Sequence, residues 1–401
     1  MVNPLTAHRI LERAIAGSRW LVERQNQDGS WKGLRDPKKV DAFYKSCWAL
    51  METGQAAAAH RSLTYVRQTL FTAEGDFSPR EHPWHKTAHY PYVNSYLIVG
   101  SMLAGRYELA MPAVSFLLTQ QSADHGGFYS RFTTQGEKEI ADATSSSIAG
   151  IACLAAGKIE AARRVADYLS YIVKLQPEPK DRFFTAVSAD GRLYTEPGDG
   201  DDAFLRIIDT KTADQCWFAV GLPFAFLVRL ADATNEMRHR DLARWYFDFQ
   251  ARCIDPWDGY SSGKAGWGCA MLYRSTGEAR YRDIALRVAE FIMSKQNQDG
   301  GWYCRGRDLT NADFDLTAEY TLWLSLISTN ILARDADGLP SPGDKIKIPK
   351  QKPVQPLGET VKRTIRAHCR ILRNEGAKKY LQYSYNYRKG QISGWIKRSP
   401  N

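Results

Sequence analysis

The sequence lacks a long hydrophobic run, a signal peptide and a regular cysteine pattern. None of its apolar runs approaches the roughly 18 consecutive residues that a membrane span requires. The N-terminus has no basic stretch followed by an apolar one, so we expect a cytoplasmic protein. The seven cysteines are odd in number and widely scattered, which predicts reduced thiols and excludes a disulfide scaffold.

Motifs of several enzyme classes are also missing. The sequence contains no P-loop, no glycine-rich dinucleotide fingerprint and no Asp-Asp-x-x-Asp motif for magnesium-assisted ionisation of a diphosphate. His85 and His89 have the spacing of four that places two metal ligands on one helix face. No cysteine or carboxylate follows them at ligand spacing, so we predict neither a metal nor a cofactor.

Positive charge is in excess, but it is confined to one end of the chain. The 401 residues carry a net charge of +10. Residues 336–401 hold 15 Lys and Arg against 4 Asp and Glu, so residues 1–335 are nearly neutral. We therefore expect no nucleic-acid ligand for the body. Residues 336–401 are predicted to form a Pro/Lys-rich linker and a basic aromatic tail. The tail is expected either to contact an acidic partner or a membrane surface, or to pack on the body.

A turn in which an aromatic residue follows glycine recurs along residues 1–335. Glycine supplies the positive φ that such a turn needs, and the aromatic ring supplies apolar area that pins it to a neighbour. Repeats of this length are typical of helical solenoids and rings. The six turns are Asp28–Trp31, Glu74–Phe77, His125–Phe128, Asp190–Tyr194, Asp258–Tyr260 and Asp299–Trp302.

Each turn lies between an amphipathic segment and a segment that is apolar nearly all round. An amphipathic helix covers a core and a uniformly apolar helix lies within it. The alternation predicts an all-α fold, an (α/α)6 toroid, with an open solenoid as the alternative. Residues 182–187 and 192–196 predict a small inserted β-hairpin, either a lid or a plain surface feature. The apolar helices are predicted to begin near Val40, Tyr90, Ala141, Thr212, Gly263 and Leu316.

Two turns share a more specific pattern of an aromatic-aliphatic pair followed at fixed spacing by Gln, Gly and Trp. The residues are Trp20, Leu21, Gln25, Gly29 and Trp31 in the first, and Phe291, Ile292, Gln296, Gly300 and Trp302 in the second. The pattern resembles the QW repeat of the terpenoid cyclase and protein prenyltransferase superfamily, typified by squalene–hopene cyclases. The resemblance covers about residues 5–334. It implies a toroid in which each Gln ties the end of an outer helix to the next unit.

The same resemblance implies a protonating acid in an Asp-x-Asp-Asp motif. The sequence has one literal match, residues 199–202, which places Asp201 and Asp202 among the catalytic candidates. Inner-helix starts supply three more, Asp41, Asp142 and Asp214, and the last two are favoured because apolar helix sequence follows them at once. A carboxyl in a desolvated pocket holds its proton more tightly, as a general acid needs. A helix N-cap is the alternative role for the three acids at helix starts, and a solvated loop is the alternative for residues 199–202.

Candidate substrate-binding residues lie near the same helix starts. Aromatic faces stabilise cations, which suits a carbocationic cyclisation, but they also stack on sugar rings, and about half of these aromatics could be core residues. The histidines could bind or protonate a substrate at the rim of the pocket. The candidates are Tyr44, His85, His89, Tyr90, Tyr92, Trp217, Trp267, Glu319 and Tyr320.

The sequence therefore predicts a terpenoid-cyclase-like enzyme, a cyclase or isomerase of specialised metabolism that uses pocket acids on a hydrophobic small molecule. One alternative is a glycan-processing (α/α)6 enzyme, such as a hydrolase, lyase or epimerase. Another is a non-catalytic toroid that binds a protein or lipid. A cyclase requires a closed aromatic pocket with a protonated acid, whereas a glycosidase requires an open groove with paired carboxylates.

Overall fold

The computed structural model describes residues 4–34, 38–134, 137–197, 201–304 and 309–336, with Pro4, Leu5, Asp201 and Asp202 described by their backbone only. Nearly all of the predicted basic extension therefore lies outside the described residues. None of the described helices combines the length and the apolar composition that a bilayer crossing requires.

Long helices form two concentric layers, numbered together in chain order. The outer helices are α1 (Pro4–Glu23), α3 (Ala56–Thr69), α6 (Tyr107–Leu118), α8 (Ile159–Leu175), α11 (Met237–Ala251) and α13 (Ala279–Met293). The inner helices are α2 (Ser46–Glu52), α5 (Tyr90–Leu103), α7 (Ala143–Ala155), α10 (Phe218–Thr234), α12 (Gly263–Thr276) and α14 (Asn311–Ala336). The short helices α4 (Trp84–Thr87) and α9 (Asp201–Arg206) and a 3₁₀ turn at Val40–Ala42 lie in the connections.

The inner helices form a closed ring. Each contacts the next in chain order, and α14 returns to contact α2, while α1 packs along α14. In α5 every residue from Pro91 to Ser101 is buried, whereas α8 buries residues three and four apart and exposes the rest. This difference is what a helix inside the ring and a helix outside it require. The predicted closed ring is confirmed, and the open solenoid is excluded.

The glycine turns join neighbouring units. Gly300 has φ of +90°, and a Cβ at this position would lie 2.7 Å from the main-chain oxygen of Ala16 in α1. Gln296 Nε2 donates to the oxygen of Arg13, also in α1, at 2.9 Å. Gln25 makes the equivalent bond to a carbonyl of α3 at 2.9 Å. Both glutamines thus make the contact that the family resemblance implies, and the one at Gln296 closes the ring.

Three inner helices begin away from the predicted positions. The helix expected from Val40 begins at Ser46, because residues 40–42 form a separate 3₁₀ turn. The helix expected from Thr212 begins at Phe218, because the left-handed φ of +55° at Asp214 interrupts the chain before it. The last helix begins earlier than predicted, at Asn311.

The inserted segment forms two small antiparallel sheets. Strand β1 (Ala141–Asp142) pairs with β3 (Ala186–Val187), and β2 (Arg182–Phe184) pairs with β4 (Ile207–Asp209). The predicted turn after residue 187 is present, but its second arm contributes only one bridge, Val187 to Leu193. The insertion is therefore anchored at the start of α7, where β1 ends.

Candidate active site

The N-terminal ends of the inner helices bring two histidine–carboxylate pairs to one end of the ring. The first pair joins His85 Nδ1 to Asp41 Oδ1 at 2.7 Å. The backbone N–H groups of Glu81 and His82 also donate to Asp41, at 2.5 and 3.0 Å. Burial opposes ionisation of Asp41, but His85 and these donors hold its pKa well below the usual range. An ionised Asp41 favours the proton on Nδ1, so His85 Nε2 is left to exchange protons with a bound molecule.

The second pair is more deeply buried. His89 is 4% exposed, and its Nδ1 lies 3.4 Å from Ser145 Oγ and 3.8 Å from Asp142 Oδ1. Burial lowers the pKa of His89 to about 4, against the opposing effect of Asp142, so the imidazole is neutral near pH 7. Within the described part of the chain, His89 Nε2 is buried and has no hydrogen-bond partner. A neutral imidazole with a free ring nitrogen can accept a proton.

Asp142 is the N-cap of α7. Its carboxylate accepts from the Ser145 N–H at 2.8 Å and from Ser130 Oγ at 2.6 Å, and it lies 3.4 Å from Arg206 Nη1. Burial opposes its ionisation, but Arg206, His89 and these donors keep its pKa lowered. The predicted position at a desolvated helix start is correct. The contacts make the group an anion, however, so it can orient His89 but is poorly suited to donate a proton.

A cluster of two buried lysines and two partly exposed carboxyl groups lies beside the histidine pairs. Lys45 Nζ is 3.0 Å from Asp315 and 2.5 Å from Glu319 Oε2, and Lys264 Nζ also contacts Glu319. Burial opposes ionisation of Glu319, but the two ammonium groups hold its pKa well below the usual range. Burial raises the pKa of Asp315, against the effect of Lys45 and with the help of Glu319. Two carboxyls one helical turn apart are thereby separated into an anion and a potential proton donor.

Tyr92 connects these groups into one site. Its ring lies 6.0 Å from the ring of His85 and 6.2 Å from that of His89. Lys45 Nζ and Lys264 Nζ each lie 5.8 Å from its centroid. Burial raises the pKa of Tyr92 well above the usual value, so its hydroxyl keeps its proton at any physiological pH. The two pairs and the lysine cluster therefore surround a single phenol.

Aromatic rings fill the ring axis beyond this charged shell. Trp267 stacks on Trp323 with centroids 5.4 Å apart, and Trp48 meets Trp267 edge-on at 5.9 Å. Tyr44 packs edge-on against His85 at 5.1 Å and is 1% exposed. Trp267, predicted to bind substrate, is likewise 1% exposed and belongs to this core.

Three other predicted binding residues make structural contacts. The Tyr90 hydroxyl donates to Asp76 at 2.5 Å, and its ring lies 3.6 Å from the Arg80 guanidinium. Trp217 is buried at the start of α10. Tyr320 is buried and donates to a main-chain carbonyl at 3.1 Å. These contacts explain the three residues without a substrate.

The remaining predicted acids lie apart from the cluster or outside the description. Asp214 is exposed in the loop before α10, so the desolvated pocket expected for it is wrong. Asp201 and Asp202 begin α9, a helix where the sequence indicated a loop, and their side chains lie outside the described residues. The last residue of α9 is Arg206, which faces Asp142.

The shared helix face expected for His85 and His89 does not form. Helix α4 ends at Thr87, and each histidine faces its own carboxylate. Within the described ranges, no group of three or more His, Cys, Asp or Glu side chains is arranged to hold a metal ion.

Three buried cations were not predicted from the sequence: Lys45, Lys264 and Arg206. Each is at most 4% exposed. The available signal was a cation inside an otherwise apolar helix start, as in Gly263–Trp267. That pattern indicates a charge that must find a partner, because an unpaired buried charge is very costly.

No protein-family model matches the sequence, and the search of curated proteins found no match. Solved structures do match. A D-mannose isomerase aligns over 80% of this chain and 97% of its own, with 13% identity and a TM-score of 0.58. A GH76 α-mannanase of Bacteroides thetaiotaomicron aligns over 81% and 97%, with 14% identity and a TM-score of 0.57. The type II terpene cyclase MstE of Scytonema, bound to merosterolic acid A, aligns over 82% and 100%, with 11% identity and a TM-score of 0.52.

The chain is an (α/α)6 toroid. The helix pairing and the three alignments agree on this fold. At 11–14% identity the likeness shows the fold alone, so the chemistry has to be argued from the side chains of this chain.

Proposed function

We propose that this toroid is an enzyme that moves protons on a polyhydroxylated small molecule, as a sugar isomerase or epimerase does. The observation that carries the proposal is the pair of buried histidines, His85 and His89, which approach Tyr92 with separate carboxylate partners. Such chemistry needs a base that removes the proton from the carbon next to a carbonyl and a second group that returns one.

The proton inventory balances without a redox partner. One neutral imidazole removes the C2 proton and leaves an enediolate, and the other imidazole, in its protonated form, donates a proton to carbon. Donation to the opposite face of C2 gives an epimer. Donation to C1, with transfer of the C2 hydroxyl proton to O1, gives the aldose–ketose isomer, and exchange with water restores both imidazoles. Lys45, Lys264 and the Tyr92 hydroxyl are positive or protonated groups suited to stabilise the enediolate oxygen. Glu319 would accept from substrate hydroxyls.

The charged shell favours a polar substrate over the hydrophobic one that the sequence predicted. Lys45, Lys264 and Arg206 are buried and face three carboxylates, one of them buried and two partly exposed. An apolar molecule placed against such groups would remove water from them without replacing its hydrogen bonds, which costs several kcal/mol. Hydroxyl groups supply those bonds. The fold neighbours include a D-mannose isomerase and an α-mannanase.

Proton exchange at carbon is the direct test. The protein is incubated in D₂O with a panel of aldoses and ketoses, and loss of the C2 proton signal is followed by NMR. We expect exchange with at least one sugar, and we expect His85→Asn and His89→Asn each to reduce its rate by roughly 10²- to 10⁴-fold. His60→Asn, on the exposed face of α3, is the matched control and should retain the rate. Full exchange in both active-site variants, or no exchange with any sugar, would contradict the proposal.

Terpenoid-cyclase-like chemistry is a second proposal, favoured by one observation. Burial raises the pKa of Asp315, which lies one helical turn from Glu319. The Glu319 carboxylate accepts a hydrogen bond at 3.1 Å from Trp323, which belongs to the stacked aromatic core. Protonation of an alkene requires a carboxyl group that retains its proton and nearby aromatic rings that stabilise the resulting cation. A prenylated polyene converted into an isobaric cyclic product by the native protein, but not by Asp315→Asn, would support it. Absence of product from linear polyenes would oppose it.

A further inference from the structure

A cavity opens at the end of the ring opposite the histidine pairs. The last residues of three inner helices, Glu52, Leu103 and Ala155, line a volume of about 180 Å³. All inner helices begin at the histidine end, so this cavity lies at their C-terminal ends. Leu103 is 47% exposed and marks an opening to solvent. The volume equals about six waters at roughly 30 Å³ each, the size of a small aliphatic molecule and too small for a disaccharide.

An arginine of α10 faces this cavity. Arg229 of α10 lines it, and its guanidinium lies 5.8 Å from the centroid of Trp267. In the ranges that the structure covers, this guanidinium makes a cation–π contact but no hydrogen bond or ion pair. Burial, with a smaller contribution from Arg274, lowers the pKa of Arg229 against the effects of Glu52 and Asp232, which indicates a charge that is incompletely compensated. The group has donors available for a carboxylate.

A negative corner lies in the same cavity. Glu52 Oε1 accepts from Trp48 Nε1 at 2.8 Å, which leaves Oε2 available. Glu52 ends α2, and the ends of α5 and α7 lie beside it, so the partial negative charges of three helix C-termini add to its own. This corner favours an ammonium group.

The remaining walls are apolar. Val99, Met102, Leu103 and Ala155 supply them. A simple carboxylate would meet Arg229 but also the negative corner, and a simple amine would meet Glu52 but also Arg229. A molecule that carries both charges and an apolar chain satisfies every part of the lining.

We propose that this cavity binds an aliphatic α-amino acid, with its carboxylate on Arg229, its ammonium group on Glu52 and its side chain against the apolar walls. This site is separate from the histidine pairs and does not depend on the function proposed for them. Binding to the folded state alone would also raise the stability of the protein in proportion to ligand concentration.

The test measures binding of three probes to the full chain by isothermal titration calorimetry. L-leucine carries both charges, 4-methylpentanoate lacks the ammonium group, and 3-methylbutylamine lacks the carboxylate. We expect saturable one-to-one binding of L-leucine and at least about tenfold weaker binding of each analogue, because each loses its hydrogen bonds to a charged partner. Equal binding of an analogue, or no binding of L-leucine up to its solubility limit, overturns the proposal.

Variants locate the site. Arg229→Gln and Glu52→Gln should each weaken L-leucine binding at least about tenfold. Arg287→Gln is the control, because Arg287 pairs with Asp258 at the exposed surface and does not line the cavity. Leu103→Trp places a larger ring at the opening of the cavity, from an exposed position, and should abolish L-leucine binding without unfolding the protein. This variant tests the location of the site even if Arg229→Gln does not fold. Unchanged binding in Leu103→Trp overturns the assignment.

Discussion

Replacement of Asp142 by asparagine tests how much the buried ion pair beside His89 contributes to the toroid. Asparagine keeps the shape of the side chain and an oxygen that can cap α7, because Asn and Asp are comparable N-caps. It removes the negative charge that faces Arg206 at 3.4 Å. Asp313→Asn is the matched control, because Asp313 is also 0% exposed but accepts from the neutral donors Cys304 N and Thr310 N.

The loss of stability expected for Asp142→Asn follows from the burial of the ion pair. Asp142 and Arg206 are 0% and 2% exposed, so solvent screening does not discount the pair. Removing one partner of a buried ion pair costs about 3–5 kcal/mol, and the retained cap favours the lower end, about 3 kcal/mol. The control loses a charge-assisted hydrogen bond and should cost about 1–2 kcal/mol. For a toroid of about 335 residues, each kcal/mol corresponds to roughly 1.4 °C, so Asp142→Asn should lower Tm by about 4 °C and Asp313→Asn by about 1–3 °C.

Thermal unfolding, followed by circular dichroism from neutral to acidic pH, measures both the size and the origin of the effect. The pKa of Asp142 is lowered in the folded state, so its contribution is complete above the unfolded value of about 3.9. The contribution disappears as pH falls through the lowered folded value. The Tm gap between the wild-type protein and Asp142→Asn should therefore be steady near neutrality and shrink below about pH 4.

Two results would refute the reasoning. Equal Tm values for the Asp142 and Asp313 variants would show that the pair with Arg206 adds nothing beyond hydrogen bonds to neutral donors. A gap that persists unchanged well below pH 3 would show that Asp142 is not held as an anion in the folded protein.

The remaining predictions concern the turns, the thiols and the basic extension. Gly300→Ala should destabilise the protein by roughly 3 kcal/mol or more in urea unfolding, since its Cβ would meet a carbonyl of α1, whereas Gly54→Ala, at φ of +75° with nothing within 4 Å, should cost only about 1–2 kcal/mol. Similar costs would contradict the packing argument. Burial raises the pKa of the Cys47 and Cys153 thiols to about 12, so neither should react with a disulfide reagent at pH 8 until the chain unfolds. Contact of the basic extension with an acidic partner or membrane stays a prediction, and removal of residues 337–401 should abolish salt-sensitive binding to anionic vesicles while C2 proton exchange continues. Equal vesicle binding by the shortened chain would favour packing of the extension on the toroid.

Much of the fold could be predicted from the local pattern of apolar residues. The apolar periodicity of α8 and the uniformly apolar α5 each report which layer a helix occupies, because a helix exposes one face or none. Helix boundaries were less predictable. Asp214 adopts a left-handed backbone conformation, which cannot be predicted from the presence of an aspartate. Helix α10 therefore begins six residues later than the apolar pattern indicated.

The candidate site was only partly predictable. His85, His89 and Tyr92 follow one another closely along the chain, and a cluster of histidines near an inner-helix start is visible in the sequence. The lysine cluster was not visible, because Lys45 meets Glu319 across 274 positions of sequence. Nothing local to either residue specifies that distance.

The helices, the turns and the closed ring could be predicted from residue patterns, since periodicity and glycine conformation act within a unit or between adjacent units. The electrostatics of the site could not. The state of a carboxyl depends on which charges and how much water surround it, and the ring brings those neighbours from distant units. Asp142 therefore became an anion beside Arg206, while Asp315 became the acid whose pKa is raised.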